Sequence, residues 1–193
     1  MNEVRIAVAR AVSIAGHPVV LVLVAAMIAA ASRGASFLQL RLVGAAVAAL
    51  GVIVLGYSWL QVRAGRWSHV DASVRNERSS LNVFLTVLLF LGAALSWFGT
   101  HSRPLTGALA LSGALIVVAM LLARWVKLSL HTAFAAFATA LIWPLTLAVL
   151  AGVLVTAAMA WSRLTLGRHV VADVVAGALL GTAAGSAYHV WVV

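Results

Sequence analysis

The sequence predicts an all-α membrane protein, a polytopic bundle of six or seven transmembrane helices forming one domain over residues 1–193. Three observations predict it. Hydrophobic residues make up 64% of the chain and charged residues 9%, where a soluble domain carries roughly half and roughly a quarter. Mean hydropathy is +1.12. The apolar residues fall in runs of about twenty, the length a helix needs to cross a bilayer, and not in the alternating segments of a barrel.

The runs follow in order, separated by short polar breaks. The first covers about 11–32 and ends at SRGAS. It exceeds the roughly 7–15 apolar residues of a signal peptide, so it reads as a retained span. The second covers about 41–62. The longest polar segment comes next, VRAGRWSHVDASVRNERSS at 62–80. The third run, about 81–99, ends at GTHSRP, and the fourth, about 105–125, ends at RWVKLSLH. From Ser129 to Ala160 the chain is apolar for about 32 residues, too long for one span of about 20. Pro144 lies in its middle and predicts a break there. The last run covers about 169–191, after WSRLTLGRH.

Thirteen Lys and Arg oppose four Asp and Glu, giving a net charge of +9. In a soluble chain that excess would suggest nucleic acid. Here the basic residues flank spans and meet anionic headgroups, so the expected partners are membrane lipids and no nucleic acid. There are no cysteines, which removes thiol nucleophiles, thiolate metal sites and disulfides. No glycine-rich dinucleotide loop or His-Glu-x-x-His metal helix occurs, and neither cofactor nor metal is expected.

If the third and fourth runs both cross, 62–80 and 124–131 lie on one membrane face. If the run at 129–160 crosses twice, 161–169 joins them. That face collects Asp71, Arg75, Glu77, Arg78, Arg124, Lys127, Ser129, His131, Arg163, Arg168, His169 and Asp173. His169 and Asp173 are four apart, one turn on one helical face. The carboxylate can fix the imidazole tautomer and leave the other ring nitrogen as nucleophile or base. Gly167 suits a chain turning into a helix, whose start favours a bound phosphate. Arg163 can supply a bidentate guanidinium. The plainer reading is a pair that caps a span, although ionisable groups in membrane segments are usually functional.

Ser129 can cap the next helix and bind an oxyanion, with His131 as a general acid. Alternatively, His131 is an interfacial anchor. Asp71, Arg75 and Arg78 share a face if 70–80 is helical, and such a face also suits a solvated surface helix. Gly177, Gly181 and Gly185 form a close-packing stripe. His17, His69, His101 and His189 have no comparable partners in the sequence.

Ser162-Arg163, five residues, His169, three residues and Asp173 together resemble the last signature of the type-2 phosphatidic acid phosphatase superfamily, Ser-Arg-x5-His-x3-Asp. The middle signature, Pro-Ser-Gly-His, is matched at Ser129 and His131 in Leu128-Ser129-Leu130-His131. The first signature, Lys-x6-Arg-Pro, is matched only at Arg78. Asp71-x3-Arg75-x2-Arg78 resembles a known variant of it. The resemblance covers roughly 71–185 and implies the helical core shared with vanadium haloperoxidases. It implies a lipid phosphate phosphatase in which His169 attacks phosphorus, Asp173 orients it, and His131 protonates the leaving group and then activates water. Arg163, Arg78 and Ser129 would hold the phosphate, with Arg75 or Lys127 replacing the missing Lys charge. Arg75 is favoured because it shares a face with Arg78.

The implied substrate is a lipid phosphate or diphosphate: phosphatidic acid, phosphatidylglycerol phosphate, or a polyprenyl phosphate or diphosphate. A lipid phosphotransferase of the same fold and a non-catalytic transporter or scaffold are the competing readings. The expected location is a bacterial plasma membrane. Arg5, Arg10, Arg63, Arg66 and Arg124 lie on the site side, against Arg33, Arg41 and Arg103 opposite, which the positive-inside rule reads as a cytoplasmic site.

Overall fold

The computed structural model describes residues 3–68 and 75–192, and every regular element among them is helical. The first expected span is instead a bent pair, α1 (Glu3–Ala15) and α2 (Pro18–Ser32), meeting at 51°. Gly16-His17-Pro18 causes the break. Pro18 opens α2 where its missing N–H is not needed, and the His17 ring Nδ1 accepts the Val19 amide at 3.4 Å. Gly16 lets the bend press against Met159, with which a Cβ would collide.

α3 (Phe37–Arg63) opens with a reciprocal capping box between Ser36 and Gln39. α4 (Arg75–Leu95) runs into a π-helical turn, Ser96–Thr100, and α5 (Arg103–Leu122) starts on the Ser102 cap with Pro104 in its first turn. The long apolar run divides at Pro144 as expected, into α6 (Leu130–Leu141) and α7 (Thr146–Thr165), and α8 (Val171–Val192) follows.

Among the described residues five helical stretches are long and apolar enough to cross a membrane, or six if the bent α1–α2 pair counts as one span. Six is the number on which this and the expected six or seven agree, and a seventh span is not found among the described residues. The difference is α6, whose 12 residues extend only about 18 Å. Instead of facing lipid along a full span, α6 occupies the centre. Phe137 is 0% exposed and Leu141 1%, and α2, α5, α7 and α8 all pack on the helix. A helix that is apolar over most of its surface, with small Ala residues for close packing, belongs in such a place. Leu115 and Ile116 of α5 and Tyr188 of α8 complete this core.

The outer surface is as greasy as the interior. Val52, Leu147, Leu154 and Leu179 are exposed, and of the 27 residues of α3 Val47 and Ser58 alone are buried. Such a surface would associate in water but matches hydrocarbon. The chain is an integral membrane protein.

The tightest contact joins α6 and α8, which run parallel. Gly177 faces the Ser129 carbonyl oxygen, Gly181 the Ala133 carbonyl and Gly185 the Ala140 side chain, each closer than a Cβ would allow. At the far end the His189 ring Nε2 meets the Ala140 carbonyl at 2.7 Å. In lipid, such close backbone approach supplies the packing that water cannot drive. The glycine stripe is therefore structural, as its spacing predicts, and it fixes the starts of α6 and α8 side by side.

Candidate active site at the starts of α6 and α8

Arg163 occupies the last turn of α7. That helix ends with two reversing bonds, Gly167 amide to Leu164 carbonyl at 3.0 Å and Arg168 amide to Arg163 carbonyl at 3.1 Å. Gly167 carries φ +63°, the left-handed conformation this ending needs and glycine adopts without penalty. His169 and Val170 link the turn to α8, and Asp173 is the third residue of that helix. The spacing Arg-x5-His-x3-Asp is thus a helix end, a tight reversal and a helix start.

One carboxylate oxygen of Asp173 does two things. Oδ2 accepts the Val170 amide at 3.2 Å, half of a capping box, and lies 3.2 Å from Nδ1 of His169. The Lys127 carbonyl lies 3.1 Å from the same ring nitrogen. Both neighbours are acceptors, so the ring proton is assigned to Nδ1 and Nε2 keeps its lone pair. The His169 and Asp173 side chains are 8% and 10% exposed. Burial holds the His169 pKa below its ordinary value; the Arg163 and Lys127 cations push the same way, while the hydrogen bond and charge of Asp173 oppose them. The ring is neutral at pH 7, the form that can attack an electrophile.

His131 lies in the first turn of α6, within electrostatic reach of Arg163, His169 and Arg168. The ring of His17 stands edge-on to it, centroids 5.9 Å apart. Arg163 is 7% exposed. Its Nη1 donates to the Ser13 hydroxyl at 3.0 Å, and its Nε has no hydrogen-bond partner among the described residues. Arg78, exposed in the first turn of α4, and Arg168 are within electrostatic reach of Arg163. Arg163, Arg168, Arg78 and Lys127 therefore gather at this end of the bundle, a field suited to an anion.

Segments 124–131 and 161–173 are joined by direct bonds: Lys127 carbonyl to His169, Lys127 Nζ to the Arg168 carbonyl at 3.1 Å, and Ser129 amide to the Asp173 carbonyl at 3.1 Å. The expected convergence on one face is met, with Arg78 bringing in the third segment. Ser129 departs from expectation. It occupies the cap position of α6 without capping it and is 0% exposed. Its hydroxyl pairs with Thr132 at 3.0 Å, so no phosphate contact is open to that hydroxyl here. Lys127 is exposed and spends its ammonium on a backbone carbonyl. Asp71, His69 and the Arg75 side chain lie outside the described residues.

Three residues near the site carry no role in the sequence reading: Ser13, His17 and Arg168. Ala9 and Ser13 are four residues apart on one face of α1, with His17 just past its end, but nothing in sequence brings that face to residues 150 positions away. No protein-family model, curated protein or solved structure matches the chain.

Proposed function

We propose that the chain is a membrane phosphatase that hydrolyses a phosphomonoester or diphosphate of a lipid through a phosphohistidine. The observation that carries this reading is the His169 ring. Two acceptors hold its Nδ1, no hydrogen bond engages its Nε2 among the described residues, and the Arg163 and Lys127 charges act on the ring. The resemblance of Ser162-Arg163-x5-His169-x3-Asp173 to the type-2 phosphatidic acid phosphatase signature supports the same chemistry.

In the first step Nε2 of His169 forms a bond to phosphorus and the bond to the leaving oxygen breaks. That oxygen takes the proton that the substrate's phosphate monoanion brings, relayed by His131, whose ring is held neutral by burial and the Arg163 charge, its pKa lowered to about 3. Asp173 stabilises the positive ring. Arg163, with Arg78 and Arg168 nearby, balances charge on the equatorial oxygens, the main electrostatic contribution in phosphoryl transfer. In the second step water attacks phosphorus, His131 takes its proton, and the P–N bond breaks with its electron pair returning to Nε2. A lipid substrate suits a site built at one end of a lipid-embedded bundle. Candidates are phosphatidic acid, phosphatidylglycerol phosphate and polyprenyl phosphates or diphosphates.

The test is phosphate release in detergent, with chelator present, from a panel of these lipids, comparing the parent with His169→Ala. Release by the parent that is lost in the variant, together with an acid-labile phosphoryl group trapped on the parent, is the expected result. A folded parent that releases no phosphate from any of them removes the hydrolase reading and leaves the transferase or a non-catalytic role.

A further inference from the structure

A phosphate-gripping arginine must be aimed, because its side chain has many rotamers and its fork is directional. In Arg163 the aiming group is visible. Nη1 donates to the Ser13 hydroxyl at 3.0 Å, the side chain is buried, and Nε is unpartnered among the described residues. A guanidinium is a rigid plane with two forks, one formed by Nη1 and Nη2, the other by Nε and Nη2. A hydroxyl on Nη1 engages a donor of the first fork and leaves both nitrogens of the second without a hydrogen bond among the described residues. The Nε/Nη2 edge matches two oxygens of a phosphate. A buried N–H without a partner is uncommon and calls for an occupant.

The position of Ser13 is itself fixed. One turn earlier on α1, the Ala9 carbonyl accepts the Ser162 hydroxyl at 2.7 Å, and Ala9 is 0% exposed. At the end of α1, Gly16 presses against Met159. Three consecutive turns thus seat α1 on α7, and the Ser162-Arg163 pair is read by α1 residue by residue.

We propose that Ser13 is a positioning residue for Arg163, taking Nη1 so that the Nε/Nη2 edge is presented to two equatorial oxygens of the substrate phosphate. The inference rests on the phosphatase reading. It makes α1, which lies outside the signature-bearing region, part of the site.

The experiment compares kcat and KM for phosphate release, from the best lipid of the panel, for the parent, Ser13→Ala, Ser13→Thr, Arg163→Lys and the Ser13→Ala/Arg163→Lys double variant. Ser13→Ala is expected to lower kcat about ten- to a hundredfold, the scale of a misplaced binding group. Ser13→Thr, which keeps the hydroxyl, should stay near the parent. Lysine has no fork to aim, so Ser13→Ala should cost little in the Arg163→Lys background. If Ser13→Ala does not fold, Ser13→Val against Ser13→Thr, equal in size, makes the same comparison. An unchanged kcat in Ser13→Ala, or an equal loss in both backgrounds, overturns the positioning role while the phosphatase reading stands. A folded parent inactive on every lipid overturns both.

Discussion

The Ser129 amide donates to the Asp173 carbonyl oxygen at 3.1 Å. The bond is short-range in space and long-range in sequence. It makes the first turn of α8, which holds the His169–Asp173 pair, continuous with the peptide that starts α6 and places His131. The nucleophile and the proposed acid are therefore held by one backbone unit.

That unit is sensitive to bulk at Gly177. A Cβ there would come within 2.6 Å of the Ser129 carbonyl oxygen, a backbone atom with little room to move. Gly177→Ala is expected to destabilise the protein by about 1–3 kcal/mol, the usual cost of overpacking, and to reduce activity by separating α6 from α8. Thermal unfolding in detergent and phosphate release on the same samples check this. Unchanged values in both would mean the two helices are not in contact as described.

Asp173→Asn keeps the side-chain shape but removes the charge that stabilises a positive His169. Phosphate release should fall about 10²–10⁴-fold, as when a triad carboxylate is neutralised, with little change in KM. Asp173→Ala also removes the acceptor of the Val170 amide and should cost about 1 kcal/mol of stability in addition. Kinetics and unfolding curves of the two variants separate these effects.

The direction of the His169 shift sets a pH dependence. Burial lowers its pKa from 6.5, so the neutral nucleophile persists below that value and the acid limb of kcat/KM should lie under pH 6.5. Asp173 raises this pKa and Lys127 lowers it. Asp173→Asn should therefore move the acid limb to lower pH, and Lys127→Ala should move it higher, with the same substrate throughout. The same depression contributes stability that is present above pH 6.5 and lost as pH falls below it. Shifts in the opposite directions would remove His169 from the limb.

Ser129→Ala separates two roles for one hydroxyl. With its hydroxyl turned to Thr132 and 0% of the residue exposed, the variant should retain parental kcat and KM. It should lose about 1–3 kcal/mol of stability, because the Thr132 hydroxyl is left buried without that partner. A large fall in kcat with stability intact would instead restore the phosphate contact that the sequence suggests.

The absence of native cysteine makes sidedness directly measurable. Single cysteines at Arg124, beside the site, and at Arg33, at the other end of α2, should react oppositely with a membrane-impermeant maleimide on intact cells. Labelling at position 33 alone matches a cytoplasmic site, and labelling at position 124 alone places it outside.

Much of this architecture was legible because it depends on local rules. Pro144 breaks a helix, Gly167 turns the chain into the next one, and the glycines at 177, 181 and 185 mark a packing face. The His169–Asp173 pairing follows from a four-residue spacing and a helix start. What local rules do not carry is the depth of α6. Its composition reads as a span, but its 12 residues fill a core, and length alone, cut short by Pro144, distinguishes the two. Ser129 was misread for a similar reason, since a serine before a helix is normally a cap, and here Thr132 competes for its hydroxyl. The Gly-His-Pro break was printed in the sequence but hidden inside an apolar run long enough to pass as one helix. The partnership of Ser13 with Arg163 spans 150 positions, and no periodicity reaches that far.

The repeat of small residues on α8 raises a further question: a helix with a glycine at every turn could slide along its neighbour by one turn, about 5.4 Å, and meet an equivalent groove. The row His169, Asp173, Gly177, Gly181, Gly185, His189 answers it. Large polar residues end the row on both sides, Asp173 tied to Ser129 and His189 to Ala140. Sliding either way would drive one of them into the space of a missing side chain and break both ties. The helix thus behaves as a bolt with a stop at each end, and the bolt's working end is the proposed nucleophile.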